Sequence, residues 1–399
     1  MSRAMKDSGI PWIGEIPEEW ECANFKYLHN KSNVGESIDK NFHTDDINNS
    51  IIFYTAGVKP LRVIYNDFPE WKYTQNEDLL LSRNGTPYVY LPINHSAYSD
   101  HIIRVDIIED KYCKRYVRYC LQRAISYVVV DSVSLATWSI TLWDKQKIPL
   151  PPLSEQQRIA EFLDRKCGEI DETIALQEEF IEELKAYKQS VITEAVTRGL
   201  NPNVKFKDSG VDWIGKIPQG WKLIRLKYLS KIETGNQDTQ DAVPDGEYPF
   251  YVRSPQVERS NKATFEGEGI LMAGDGAGAG RVFHHAYGKY AVHQRVYRLS
   301  EIEGVLSNYL FFYISNLFGK VMDMGSAQST VPSVRLPMLT NFAVCIPSPT
   351  EQQQIADYLD TKCSEIDSLI AIKQQKIEEL KDYKKSIIYE YVTGKKEVK

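Results

Sequence analysis

The residues with the most obvious chemical potential are four glycines at alternate positions, Gly274, Gly276, Gly278 and Gly280, followed by Arg281 and the pair His284 and His285. A glycine-rich loop can cradle a phosphate, but the dinucleotide spacing Gly-x-Gly-x-x-Gly fails here. Arg281 stands where the third glycine would fall after Gly276 and Gly278, and no P-loop motif occurs elsewhere. The run lies between two β-leaning segments with no helix to aim at a phosphate, so a tight backbone turn is expected instead of a cofactor site. Adjacent histidines on a strand face opposite sides, which is poor geometry for a shared metal. The six cysteines, at 22, 113, 120, 167, 345 and 363, include no Cys-x-x-Cys pair, so free thiols and no zinc are expected. No nucleophile and base stand at a telling spacing. The Asn-Pro-Pro-Tyr-like motif of an AdoMet-dependent amino-methyltransferase is missing too. The expectation is therefore a chain without its own catalytic residues, metal or cofactor.

Binding is the remaining chemistry, and charge placement bears on it. The net charge of −6 argues at first against a nucleic-acid partner. Residues 154–197, however, hold eleven acidic against five basic side chains, and residues 350–393 hold nine against six. Those two stretches carry −9 between them, so everything else sums to +3. Residues 281–300 contain Lys, Arg and His with no acid at all. A basic, aromatic-rich globular part attached to acidic segments is compatible with DNA.

The acidic segments are the elements that must position everything else. Residues 154–197 place Ala160, Cys167, Ile174, Ile181, Lys188 and Ala195 at heptad position a and Leu163, Ile170, Gln177, Leu184 and Val191 at position d. Adding 196 gives Ala356, Cys363, Ile370, Ile377 and Lys384, then Leu359, Ile366, Lys373, Leu380 and Ile387, so even the polar interruptions at Gln177 and Lys188 recur as polar residues. Ser154 and Thr350 are expected to cap these helices, with Glu155 and Glu351 at the positive end of the dipole and prolines excluding an earlier start. Some forty residues make a rod of about 60 Å, too long for a small domain to cover, so the two rods are expected to pair with each other.

The rest is duplicated as well. Residues 6–28, KDSGIPWIGEIPEEWECANFKYL, return 201 positions later as KDSGVDWIGKIPQGWKLIRLKYL. Trp12, Trp20, Trp213 and Trp221 in these turn-rich segments read as structural clips. Between clip and rod lie two regions of dissimilar sequence. The first, residues 31–150, shows β-leaning runs at 51–55, 78–82 and 102–107 and a helix at 111–124, with Val117, Cys120, Leu121 and Ala124 as its apolar stripe and a basic remainder. The second, residues 231–346, shows strands at 248–252, 270–273, 281–284 and 290–299 and a helix at about 307–318. Residues 199–207 carry the Gly and Pro of a linker. No apolar run approaches the roughly 18 residues of a membrane span and the N-terminus lacks a signal-peptide core, so a cytoplasmic location without membrane association is expected.

The twin DSGxxWIGxIPxxW segments, the openings PPLSEQQ (residues 151–157) and PSPTEQQ (residues 347–353), and the rods that follow them resemble the specificity subunit of type I restriction-modification systems, often called HsdS. The resemblance covers the whole chain. It implies two target recognition domains, each reading half of a bipartite double-stranded DNA target. It also implies two methyltransferase (HsdM) subunits that supply AdoMet chemistry on adenine, and restriction and translocase (HsdR) subunits. The implied fold is α+β: two mixed α/β recognition domains held apart by two long antiparallel coiled-coil helices, with an internal pseudo-two-fold duplication. The expected domains are residues 1–153, 154–198, 199–349 and 350–399. The rival readings are a coiled-coil scaffold without DNA selectivity and an autonomous enzyme.

Two equivalent frames suit B-DNA, whose successive major grooves lie about 34 Å apart. Base readout favours Arg, Asn, Ser, Thr or His on rigid turns, with Lys and Arg on phosphates. By position, the candidates are Tyr54, Thr55, Arg83, Asn84, Thr86 and Tyr88 in the first head, and Arg253, Ser254, Arg281, His284, His285 and Arg295 in the second. The seam candidates are Leu163, Ile170, Ile174, Ile181, Leu184, Leu359, Ile366, Ile370, Ile377 and Leu380.

Overall fold

The computed structural model describes residues 3–64, 67–130, 137–325 and 332–398. Its helices are α1 (Lys114–Val130), α2 (Ile140–Asp144), α3 (Leu153–Arg198), α4 (Ser307–Gly325), α5 (Leu336–Thr340) and α6 (Pro349–Val392). The chain divides into two compact units, Met1–Gln177 with Gln375–Lys399, and Glu178–Gln374. Each long helix thus gives its first half to one unit and its second half to the other.

Within each unit the helix halves run antiparallel. In the first, Lys384 Nζ reaches Asp171 at 2.6 Å and Phe162 packs against Tyr391 with ring centroids 4.3 Å apart. In the second, Lys188 Nζ reaches Asp367 at 2.7 Å and Lys373 Nζ lies 4.7 Å from the Phe180 ring centroid. The heptad positions face inward: Leu163, Ile170, Ile181, Leu359, Ile366 and Ile377 are buried, and Ile174, Leu184, Ile370 and Leu380 are partly buried.

The helix starts differ from expectation. Helix α3 begins at Leu153, so Ser154 lies inside its first turn and is not the cap. Helix α6 begins at Pro349, and the Ser348 hydroxyl accepts from Glu351 N at 3.3 Å, so Ser348 takes the capping role assigned to Thr350. Proline at the first helical position loses no hydrogen bond and has its φ already set, so it opens this helix instead of barring it. Helix α3 ends at Arg198 and is followed by Gly199, whose φ of 78° is the left-handed stop that glycine adopts without strain.

The clips are short two-stranded ribbons, Met5–Asp7 with Glu15–Pro17 and Phe206–Asp208 with Lys216–Pro218. Trp20 and Trp221 are buried, and each indole Nε1 donates to a glutamate in the first turn of a long helix, Glu155 at 3.2 Å and Glu351 at 3.0 Å. Gln156 Oε1 accepts from Cys113 N at 2.9 Å while its Nε2 donates to Pro151 O. Gln352 does the same with Leu306 N at 2.6 Å and Pro347 O. Tyr116 Oη donates to Pro149 O and Val392 O, and Tyr309 Oη to Cys345 O and Val196 O. Backbone groups at strand and helix ends that would otherwise be orphaned are satisfied the same way in both units.

The heads share a topology despite their dissimilar sequences. The first has a four-stranded sheet ordered His29–Val34, Ile102–Ile107, Asp78–Ser82, Val89–Tyr90; the second has Lys231–Thr234, Val296–Ser300, Gly269–Ala273, Phe283–Ala286. All these pairings are antiparallel. Each head adds a small sheet built on one parallel pair, Ile51–Tyr54 with Ala97–Tyr98 and Tyr248–Tyr251 with Lys289–Val292. The single strand expected at 290–299 is therefore two strands in two sheets, broken by a turn at residues 293–295. A shared close approach enforces that break. A Cβ on Gly235 would stand 2.1 Å from Val292 O, and one on Gly35 would stand 2.0 Å from Tyr98 O.

Helix α1 runs from Lys114 and extends past the expected end at 124. Its apolar stripe is buried, but part of its basic remainder faces protein: Arg115 pairs with Asp164 at 2.9 Å and Arg123 lies over the Tyr389 ring. Helix α4 likewise continues to Gly325.

Candidate nucleic-acid interface

Three turns meet at one end of the first head, after Tyr54, between Ser82 and Val89, and between Tyr98 and Ile102. Ser99 N donates to Tyr54 O at 2.9 Å and Arg83 N to His101 O at 2.8 Å, so the three are stitched together. Tyr90 Oη adds bonds to Thr55 O at 3.0 Å and Gly57 O at 2.8 Å, and its ring packs against Tyr88 at 4.7 Å.

Four of the six candidates here, Thr55, Arg83, Asn84 and Tyr88, are partly exposed, and Thr86 is exposed. Asn84 Nδ2 lies 2.7 Å from His101 Nδ1, and Arg83 Nη1 donates to Asp100 O at 3.4 Å. Tyr54 is different: it is 5% exposed, and its hydroxyl accepts from Ile93 N at 3.2 Å. It supports the turn from beneath because its strand position points into the apolar cluster with Leu80 and Tyr98. His101, which no sequence motif singled out, is exposed beside Asn84. The signal was available only through strand pairing, which brings the end of one strand to the start of another.

The second head has the same three turns, after Tyr251, between Ala273 and Phe283, and between Val292 and Val296. Arg253, Arg281 and Arg295 are exposed and Ser254 is partly exposed. Arg253 Nη1 lies 2.9 Å from Asp275 Oδ1, and Arg295 Nε lies 3.7 Å from Asp275 Oδ2. Arg281 pairs with Asp323. His284 Nε2 bonds Ser254 O at 3.1 Å, and burial holds its pKa below the usual histidine value, which favours the neutral ring. His293 is likewise pushed down, first by burial and then by the neighbouring Arg253.

His285 does not join this group. Its Nε2 lies 2.9 Å from Glu268 Oε1 and 3.1 Å from Ser307 Oγ, and its ring stacks on Phe311 at 5.0 Å, so it is committed to helix α4. Alternation along the strand sends His284 to the turns and His285 to the helix. The glycine run is the turn that packs against both arginine-bearing turns: Gly274 N donates to Arg295 O at 2.8 Å, and a Cβ on Gly278 would stand 2.7 Å from Arg253 O. Among the described residues no group of three His, Cys, Asp or Glu is placed to hold a metal, and no helix is long and apolar enough to cross a membrane. The described cysteines are free thiols.

Comparison with known proteins places the fold. The family described as Type I restriction modification DNA specificity domain matches residues 17–186 and 218–382, one copy per repeat. The chain belongs to that family: it is a specificity subunit of a type I restriction-modification system with two target recognition domains. It is 31% identical over 174 residues to the type I restriction enzyme EcoDI specificity subunit of Escherichia coli, a match covering 44% of this chain and 38% of that one. Identity to the putative type I restriction enzyme MjaX specificity subunit of Methanocaldococcus jannaschii is 25% over 424 residues, covering 97% and 96%. A solved chain from a study of complex assembly and conformational transition of the type I R-M system superposes with a TM-score of 0.70 at 16% identity, covering 95% of this chain and 99% of that one. The fold is therefore shared well beyond the reach of sequence identity.

Proposed function

We propose that each head reads one half of a bipartite double-stranded DNA target in the major groove through its three convergent turns. The long helices set the spacer between the half-targets and dock two methyltransferase (HsdM) subunits, which supply AdoMet and methylate adenine. Restriction and translocase (HsdR) subunits join that complex, and this chain contributes recognition without catalysis. The observation that carries the reading is that two heads of one topology present three turns each at the same sheet end, of different composition and, at residues 83–88 and 274–282, of different length, mounted on frames that repeat the same Trp, Gln and Tyr hydrogen bonds. Such an arrangement keeps the mounting fixed while the presented side chains vary, which is what an asymmetric two-part target requires.

In the first head Thr55, Arg83, Asn84, Thr86 and Tyr88 carry the readout, joined by His101, with Tyr54 as support. In the second the readers are Arg253, Ser254, Arg281, His284 and Arg295, while His285 anchors their strand to α4. The scaffold alternative accounts for the long helices but gives no reason for polar turns to converge in both heads.

Exchanging residues 31–150 for the equivalent head of a relative, and mapping adenine methylation in a host that also carries the methyltransferase partner, tests the reading. One half of the methylated sequence is expected to change completely while the other half stays the same. Both halves changing together would sink the assignment of one head to one half-target.

A further inference from the structure

Asp275 sits between Gly274 and Gly276 on the nine-residue turn of the second head, and its carboxylate faces two arginines that arrive from different turns. Oδ1 is 2.9 Å from Arg253 Nη1 and Oδ2 is 3.7 Å from Arg295 Nε. The turn that carries it is fixed on both flanks. Gly274 N holds Arg295 O, Gly276 N donates to Pro332 O at 3.0 Å, and Val334 N donates to Gly274 O at 2.7 Å. Glycine is needed at 274 and 278 because a Cβ would run into the backbone of the two arginine turns, at 2.8 and 2.7 Å from Arg295 O and Arg253 O. The turn therefore brings one negative charge to a fixed point between two exposed cations.

We propose that Asp275 is the specificity-positioning residue of the second head, holding Arg253 and Arg295 together as one donor fork for a guanine-bearing base pair. The role rests on the DNA-reading function proposed above. Arginine is the commonest specific reader of guanine, through two parallel donors to O6 and N7, and that geometry fails if the side chain swings to a phosphate. A carboxylate between two guanidinium groups removes their mutual repulsion, occupies one side of each and leaves the remaining N–H groups outward. It also opposes indiscriminate phosphate binding, because it repels the DNA backbone unless both arginines intervene.

The test uses the full chain with its methyltransferase partner and DNA duplexes altered one base pair at a time in either half-target. Asp275→Asn keeps the shape and removes the charge. It is expected to lower discrimination at one or two base pairs of the second half-target about tenfold, to leave the first half-target unaltered, and to raise binding to non-specific duplex at low salt severalfold with a steeper salt dependence. Asp275→Glu is expected to retain most of the discrimination. Arg253→Gln and Arg295→Gln remove the fork from the other side and must lose discrimination at the same base pairs, with Asp275→Asn adding little on top of either. A merely structural role predicts instead a lowered melting temperature, weaker binding to every duplex and loss in both halves, and that pattern overturns the proposal. So does unchanged discrimination in Asp275→Asn, or Arg variants that lose discrimination elsewhere. A wild-type complex with no preference for any bipartite target would overturn the DNA-reading function itself, and this role with it.

Discussion

Tyr116 and Tyr309 occupy equivalent places in the two units and donate the same pair of hydrogen bonds, to a strand carbonyl and to the last turn of a long helix. Residues 83–88 and 274–282 also occupy equivalent places, yet they share neither length nor composition. The frames are held by side-chain hydrogen bonds, each of which demands one residue type at one offset: Trp to the Glu carboxylate, Gln to two backbone partners, Tyr to two carbonyls. The heads are held by strand pairing and apolar alternation, which accept many sequences provided the pattern survives. A protein that must present changing side chains from a constant mounting would separate its constraints in this way.

The largest expected effect tests whether the frames are as equivalent as their bonds suggest. Trp20→Ala and Trp221→Ala each remove a buried indole and its hydrogen bond to Glu351 or to Glu155, which keeps two bonds from Arg3, at a cost of about 3 to 5 kcal/mol against a typical total of about 5 to 15. Denaturant unfolding of each variant is expected to show the two losses equal to within about 1 kcal/mol. A large loss in one unit with almost none in the other would mean that the repeated hydrogen bonds disguise different packing.

This division also explains what could be read in the sequence. The frame was legible because its residues are specific and occur twice: the Trp pairs, the heptad seam and the Glu-Gln-Gln openings could be aligned by eye at offsets of 201 and 196. The shared topology of the heads was not legible, since strand pairing leaves only alternation behind, and the run at 290–299 reads as one strand although it belongs to two sheets. Polar clusters such as residues 82–88 stand out in the sequence, whereas His101 comes beside Asn84 only through strand pairing, and residue type alone does not state that Tyr54 faces the apolar cluster or that His285 faces helix α4.

Two arginines packed within the heads, Arg104 partly buried and Arg298 buried, offer a sharper contrast. Arg104 and Arg298 occupy equivalent strand positions, paired with Leu80 and Leu271, but they face different carboxylates. Arg104 Nε lies 3.4 Å from Asp78, whose equivalent in the second head is Gly269, while Arg298 Nη1 pairs with Glu233. Burial pushes the Asp78 pKa up to about 6, only partly offset by Gln75 N and Arg104, and its Oδ1 is buried without a hydrogen-bond partner among the described residues. Burial also disfavours the Glu233 carboxylate, but Arg298 and Lys231 outweigh it and hold the pKa below the usual value. The signs are therefore opposite. The Asp78 contribution is fully present below about pH 4 and is lost as pH rises through about 6, an effect of up to about 3 kcal/mol. The Glu233 contribution is present above the unfolded glutamate pKa and is lost as pH falls. Between pH 4 and 6 the strand Asp78–Ser82 is expected to lose hydrogen-exchange protection as pH rises while Gly269–Ala273 does not, and Asp78→Asn is expected to abolish the difference. Identical pH profiles for the two strands would remove the contrast.

The smallest effect concerns a seam position that is charged in both repeats. Lys188 with Asp367 and Lys384 with Asp171 are the same pair displaced by 196 positions, with the lysine at a core heptad position and both partners substantially exposed, 28% and 58% in each case. Exposed pairs of this kind contribute about 0.5 kcal/mol or less and are screened by salt. A lysine at a core position is better understood as a device for choosing register, because a shifted pairing would leave the ammonium against apolar neighbours with no carboxylate in reach. Replacing Lys188 and Lys384 by Ala is therefore expected to change stability by no more than about 1 kcal/mol in total, equally in the two units and scarcely at all in 1 M salt. Replacing both by Ile, which suits the seam, is expected to raise the melting temperature while broadening the register that cysteine cross-links across the helices report. A single sharp register in the Ile variant would show that the heptads fix the pairing by themselves and that the repeated ion pairs add only charge.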